Sequence, residues 1–268
     1  MSTATVERTA PAPRTTKVHD PIPMSRIVGV EVSKMFNTRS GFWLLASVGI
    51  LSTIATIATV LFVPDDEISY DGFAAAVGFP MSVVLPMIAI LSVTSEWSQR
   101  SGLTTFTLVP DRGRVIRAKL LATLGIGAAS IAVAFSVGAI GNVVGSAIAG
   151  VDTTWDITLG NAALIFVADA LGMLMGFTLG ILIRSSPGAI VGYFVYALVL
   201  PAAFGTLAAF QDWFADRQGW IDFNFASTRL YEGDMVAKDW SQLAVSGTFW
   251  LLIPMAIGLF AVTRSEVK

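Results

Sequence analysis

The sequence predicts an all-α membrane protein with six transmembrane helices and an interfacial helix ahead of the first. Three observations predict it. The 268 residues are 54% hydrophobic and only 13% charged, with a mean hydropathy of +0.70. A soluble domain carries about 25% charge, and a soluble chain this apolar would expose aggregating patches. Second, six segments are long and apolar enough to cross a bilayer core of about 30 Å: residues 41–63, 73–94, 120–148, 161–183, 188–210 and 243–262. Third, the basic residues are one-sided. With the N-terminus inside, fourteen of the seventeen Lys and Arg fall on the inner side, as orientation by positive charge requires. Outside remain only Arg217, Arg229 and Lys238, and the first outer loop, PDDEISYD, has four acids and no base. Both termini are therefore expected in the cytosol, and the third span is long enough to tilt or to reach beyond the bilayer.

The same totals exclude several functions. A net charge of -2 implies no nucleic-acid partner. With no cysteine there is no thiol nucleophile and no cysteine-based metal site. The one histidine, His19, lies in the N-terminal tail, and no H-E-x-x-H or pair of intramembrane aspartates is present. No catalytic residue and no metal site are expected. The chain also lacks G-x-x-x-x-G-K-[ST], the loop that cradles nucleotide phosphates.

Taken in order, residues 1–23 are rich in Thr, Ala and Pro and lack the apolar core of a signal peptide. They are expected to form a disordered cytosolic tail. Residues 24–268 form one membrane domain. Its first segment, MSRIVGVEVSKMFNTRS, places Met24, Val28, Val32, Met35 and Phe36 on one helical face and Arg26, Ser33, Lys34 and Asn37 on the other. That pattern suits a helix lying in the inner interface. Asn37–Ser40 is a polar break before the first span.

The charged block EWSQRSGLTTFTLVPDRGRVIRAKLL, residues 96–121, separates spans two and three. The 23 residues 95–117 stay out of the membrane. A topology anchor needs only a short basic turn. This block also holds an apolar set, Leu103, Phe106, Leu108 and Val109, beside Arg100 and its other charges. Apolar groups exposed among charges mark a contact surface. Gly102 and Pro110 can end short helical pieces, and Asp111 can cap the helix that becomes span three. Bases at that entrance would meet anionic headgroups.

The block resembles the first cytosolic loop of ABC-2-type permeases, the membrane subunits of many ABC transporters, on Glu96, Gly102, Leu103, Thr104, Leu108, Pro110, Arg112 and Lys119. The resemblance extends to the plan of residues 24–265. It implies the architecture of a type V exporter-like permease. It implies that Glu96, Arg100, Gly102, Leu103, Thr104, Phe106, Leu108, Pro110 and Arg112 form a coupling helix seated on a separate ABC ATPase subunit. ATP and Mg would then bind on that partner, with no cofactor on this chain. It further implies a second permease copy, as homodimer or heterodimer, in a bacterial cell (inner) membrane, with export as the direction.

Within the spans, Asp169 is the one intramembrane acid, in LIFVADALGMLMGFTLGILIR. With Gly172, Gly176 and Gly180 it forms one helical stripe. The glycines allow close backbone approach, and an ionisable group at this depth faces protein or water. The stripe is a packing face or part of a substrate path. Pro80, Pro86, Pro201 and Pro254 can each loosen a span. The outer loop 211–240 is too polar to cross, and its aromatics suit an interfacial belt or, by the resemblance, short helices capping the outer mouth. The expected function is a permease subunit coupled through residues 96–119 to an ATPase. The alternative is a non-pumping scaffold, assembly or channel-like subunit. Apolar spans fit a lipophilic solute, and equally fit faces that merely meet lipid.

Overall fold

A computed structural model describes residues 22–98 and 111–264. All regular structure among these residues is helical. Helix α1 (Met24–Asn37) precedes six helices long and apolar enough to cross a membrane. These are α2 (Arg39–Phe62), α3 (Tyr70–Ser98), α4 (Arg112–Ala149), α5 (Leu159–Ile183), α6 (Ser186–Phe210) and, after three short helices, α10 (Ala237–Arg264). The short ones are α7 (Asp212–Ala215), α8 (Gln218–Ile221) and α9 (Phe223–Glu232). The chain is a multi-pass membrane protein with the six predicted spans.

Contacts between helix ends define two sides. On the first, which the charge count predicts to be the inner one, α1 meets the end of α3 and the start of α4. On the same side Ser186 at the start of α6 bonds Thr94 of α3 at 2.7 Å. Arg112 at the start of α4 donates to the Val262 carbonyl near the end of α10 at 3.1 Å. On the opposite side the Asp71 amide donates to Asp156 at 2.8 Å, and Tyr70 stacks at 5.0 Å on Trp155. The six helices thus alternate in direction.

Helix boundaries follow local chemistry. Thr38 breaks α1 from α2 in extended backbone, and its hydroxyl accepts the Gly41 amide at 3.1 Å. Asp111 caps α4, accepting the Arg114 amide at 3.2 Å. From that cap α4 runs unbroken for 38 residues, about 57 Å at 1.5 Å per residue. It therefore overshoots the bilayer, and its end is a left-handed Gly150 (φ 71°).

Helix α1 differs from the sequence reading in which face it buries. The buried positions are Ile27 and Glu31, and Phe36 is half exposed. An acid can occupy the buried face because a cation from α4 meets it there. Helix α1 therefore packs against the bundle as well as edging it.

The prolines act in two ways. In α6 and α10 they follow π-helical turns, Val195–Val199 before Pro201 and Thr248–Leu252 before Pro254. The Leu200 amide donates five residues back to Val195, and the Ile253 amide to Thr248. Widening the turn moves the carbonyl four residues back away from the proline ring. Pro80 and Pro86 lie inside a continuous α3. Pro86 leaves the Ser82 carbonyl without its helical donor, and the Tyr193 hydroxyl of α6 supplies one at 2.8 Å.

The core has two parts. One joins α2, α3, α4 and α5 around Met81, Leu85 and Phe177. The other joins α3, α5, α6 and the short outer helices around Ile90, Met175 and Leu230.

Candidate functional site

Two constellations lie on opposite sides of the bundle. The first is a buried charge cluster where the loop between α3 and α4 begins and ends. Lys119 on α4 lies 2.5 Å from Glu31 on α1 and 3.2 Å from Glu96 at the end of α3. Lys34 completes it, 2.7 Å from Glu31 and 3.5 Å from Glu96. Glu31 and Lys119 are each 3% exposed and Glu96 7%. Two acids and two bases compensate, which is what makes their burial tolerable. Lys119 also donates to the Ser92 carbonyl at 3.3 Å, and Thr123 donates to the Ser92 hydroxyl at 2.9 Å. The Glu96 Oε1 oxygen sits within ion-pair distance of both lysines but has no aligned hydrogen bond. It is held by charge alone.

This cluster closes the base of the loop. Glu96 and Lys119 are its two ends, and both are tied to α1. A cavity of about 230 Å³ beside the cluster is lined by Glu31, Lys34, Ser92, Glu96 and Ser186 among others. Lys119 does not face headgroups, as its place at the span entrance suggested. It points into protein because two carboxylates attract it there. Arg112 packs toward α10 through the Val262 carbonyl, and Arg114 donates to the Ile22 carbonyl. Arg100, Gly102, Leu103, Thr104, Phe106, Leu108 and Pro110 lie outside the described residues.

The second constellation surrounds Asp169. The glycine stripe of α5 packs on α3. A Cβ at Gly176 would lie 2.6 Å from the Pro86 carbonyl oxygen, at Gly180 3.4 Å from the Ile90 carbonyl, and at Gly172 3.6 Å from the Pro86 ring. Asp169 is ten residues into α5, about 15 Å along it, and is 4% exposed. Its Oδ1 accepts a 2.9 Å bond from the hydroxyl of Tyr231 on α9. Helix α9 reaches that depth because its apolar face is sunk into the bundle, with Phe223, Ala226 and Leu230 buried. Burial, then the negative Asp169, push the Tyr231 phenol above its usual range.

Beside Asp169 opens a cavity of about 360 Å³ between α3, α5, α6 and α9. Six aromatic rings line it, those of Phe79, Tyr193, Phe194, Tyr196, Phe223 and Tyr231. The two π-helical turns meet at its edge, where Tyr196 packs on Trp250 at 6.3 Å and the Trp250 indole donates to the Ile221 carbonyl at 2.7 Å.

Sequence reasoning named Glu96, Arg112, Asp169 and the glycines. It missed Glu31 as a partner, although an acid four residues after Ile27 interrupts the helix face that buries. It also missed Tyr193, Tyr196 and Tyr231, which carry no local signal of meeting Asp169. No family model matches the chain, and no curated protein is similar to it at a significant level.

Proposed function

We propose that this chain is the membrane-spanning permease subunit of an ATP-driven ABC transporter of the ABC-2 type, an exporter by that resemblance alone. It works beside a second permease copy in a bacterial cell membrane. A separate ABC ATPase binds ATP and Mg on the inner side and seats the loop 96–119.

One observation carries the reading: the buried Glu31–Lys119–Glu96 cluster at the base of that loop. A loop that only anchors topology needs no rigid base. A loop that transmits force does, because a push on it must move its two spans before it deforms the loop itself. The cluster joins both loop ends to α1, so a displacement would reach α1, α3 and α4 together. The Arg112 bond to Val262 extends that link to the last span.

The test is a mild-detergent pull-down of the tagged protein from its native cell, read by mass spectrometry. It is run for the unaltered chain, for Phe106→Asp in the loop, and for Arg112→Ala. A P-loop ATPase recovered in equal amount, and lost with Phe106→Asp while the permease stays monodisperse, supports the proposal. If the unaltered protein brings down no ATPase under conditions that keep known pumps intact, the proposal fails. The charged block is then an anchor, or the dock of a non-pumping assembly.

A further inference from the structure

We propose that the cavity beside Asp169 is a binding site for an organic ammonium ion on an apolar body, which enters sideways from the membrane. This rests on the transport reading only in treating that ion as cargo; the site itself stands on the following geometry.

Among the described residues Asp169 makes one hydrogen bond, to Tyr231, and forms no ion pair. An asparagine would accept the same bond without placing a charge in a low-dielectric interior, where an unpaired ion is costly. The bond to Tyr231 therefore accounts for an acceptor at position 169 but not for an acid. The acid borders two cavities. One is a slot of about 20 Å³ toward Met81, Ile131 and Phe135. The other is the aromatic chamber of about 360 Å³, within the range of small-molecule pockets. Among the described residues lining that chamber there is no Lys, Arg or His, so Asp169 gives it a single, negative formal charge.

Aromatic faces attract cations. A carboxylate among six rings is complementary to an ammonium group and repels anions. The polar remainder of the lining is uncharged: Ser82, Asn224, Ser227 and Thr228. An alkyl or aryl body would rest against Val83, Pro86 and Leu171.

The mouth fixes the route. Phe79 on α3 is 77% exposed and Leu198 on α6 60%, and both line the chamber at the bundle surface. That opening lies along the flank of apolar helices, so the bilayer is the reservoir. The π-helical turn of α6 forms one lip of it, since Tyr196, Ala197 and Leu198 belong to Val195–Val199. A lipid headgroup carries ammonium too, but its depth is wrong. Asp169 sits about 15 Å down its helix, and a headgroup phosphate would bring a second negative charge.

The experiment measures binding to the permease alone in phosphatidylglycerol nanodiscs by calorimetry. The probes are 4-phenylbutyltrimethylammonium and its uncharged isostere, with carbon in place of nitrogen. The expected result is at least tenfold weaker binding of the cation to Asp169→Asn, with the isostere changed less than twofold. Leu198→Trp, at an exposed position, is expected to weaken both probes by narrowing the mouth. It also serves if Asp169→Asn does not fold. Equal cation affinity for the unaltered protein and both variants would overturn the proposal. So would a tenfold loss on changing the discs to phosphatidylcholine beyond the loss that the change in surface potential causes, which would assign the site to a lipid headgroup. No ATPase is present in this assay. Failure here with a successful pull-down removes the cargo class and leaves the coupling reading standing, and the reverse pair of results does the opposite.

Discussion

Lys119 is the residue on which the inner side turns. Among the described residues its ammonium is the only buried one that touches both Glu31 and Glu96. Lys119→Met would leave two buried carboxylates sharing the half-exposed Lys34. Removing one partner from such a cluster costs about 3–5 kcal/mol, read as a lower thermal midpoint in detergent. Glu31→Met together with Lys119→Met should recover most of that loss, because Glu96 keeps Lys34 at 3.5 Å. No recovery would mean that the cluster does not act as a compensated pair.

At the far side Tyr231 gives a pH prediction. Burial and the negative Asp169 raise its phenol above the ordinary tyrosine value, so the bound form is the neutral one. A raised pKa contributes stability that is complete below the unfolded value near 10 and is lost as pH rises through the folded value. Thermal midpoints of the unaltered protein and of Tyr231→Phe should differ by a constant amount from pH 7 to 9 and converge above pH 10. Convergence at neutral pH would contradict the assignment.

Among the elements, α5 packs by its glycines, and their spacing from α3 ranks the substitutions. Gly176→Ala drives a methyl against a backbone carbonyl that cannot step aside, a cost of about 1–3 kcal/mol. Gly172→Ala meets only ordinary contact at 3.6 Å and should be near neutral. Equal effects of the two would show that α3 and α5 are not packed in this register. The π-helical turns of α6 and α10 are a matched pair of elements, each two residues ahead of a proline. They bring Tyr196 and Trp250 together at the chamber edge.

Over the whole molecule the alternation of helix directions sets which loops share a side. The chain has no cysteine, so single cysteines report position cleanly. At Asp65 and Asp212, exposed on the side opposite the cluster, a membrane-impermeant maleimide should label intact cells. At exposed Arg117 it should label only after the membrane is opened. The reverse pattern would invert the orientation read from the basic residues.

The six spans, the polar break at Asn37–Ser40 and the Asp111 cap were legible because each depends on a local property. Apolar length, a turn residue or a side chain three positions from its amide is written in consecutive residues. The orientation rests on an additive count of charge, and the maleimide labelling is what tests it. The glycine stripe was legible as a face, but its target was not. Which helix it meets is a matter of how spans pack, and nothing in α5 names Pro86 of α3. The charge cluster joins positions 31, 34, 96 and 119, and the chamber joins α3, α5, α6 and α9. Such sites depend on long-range proximity, and a lipid-like composition is nearly silent about it, because every apolar face is equally content against lipid or protein. Sequence alone thus determined that the chain crosses the membrane six times and where it turns. Only the tertiary structure decided that a lysine and two glutamates far apart in sequence meet, and that Asp169 opens onto a room of aromatic rings.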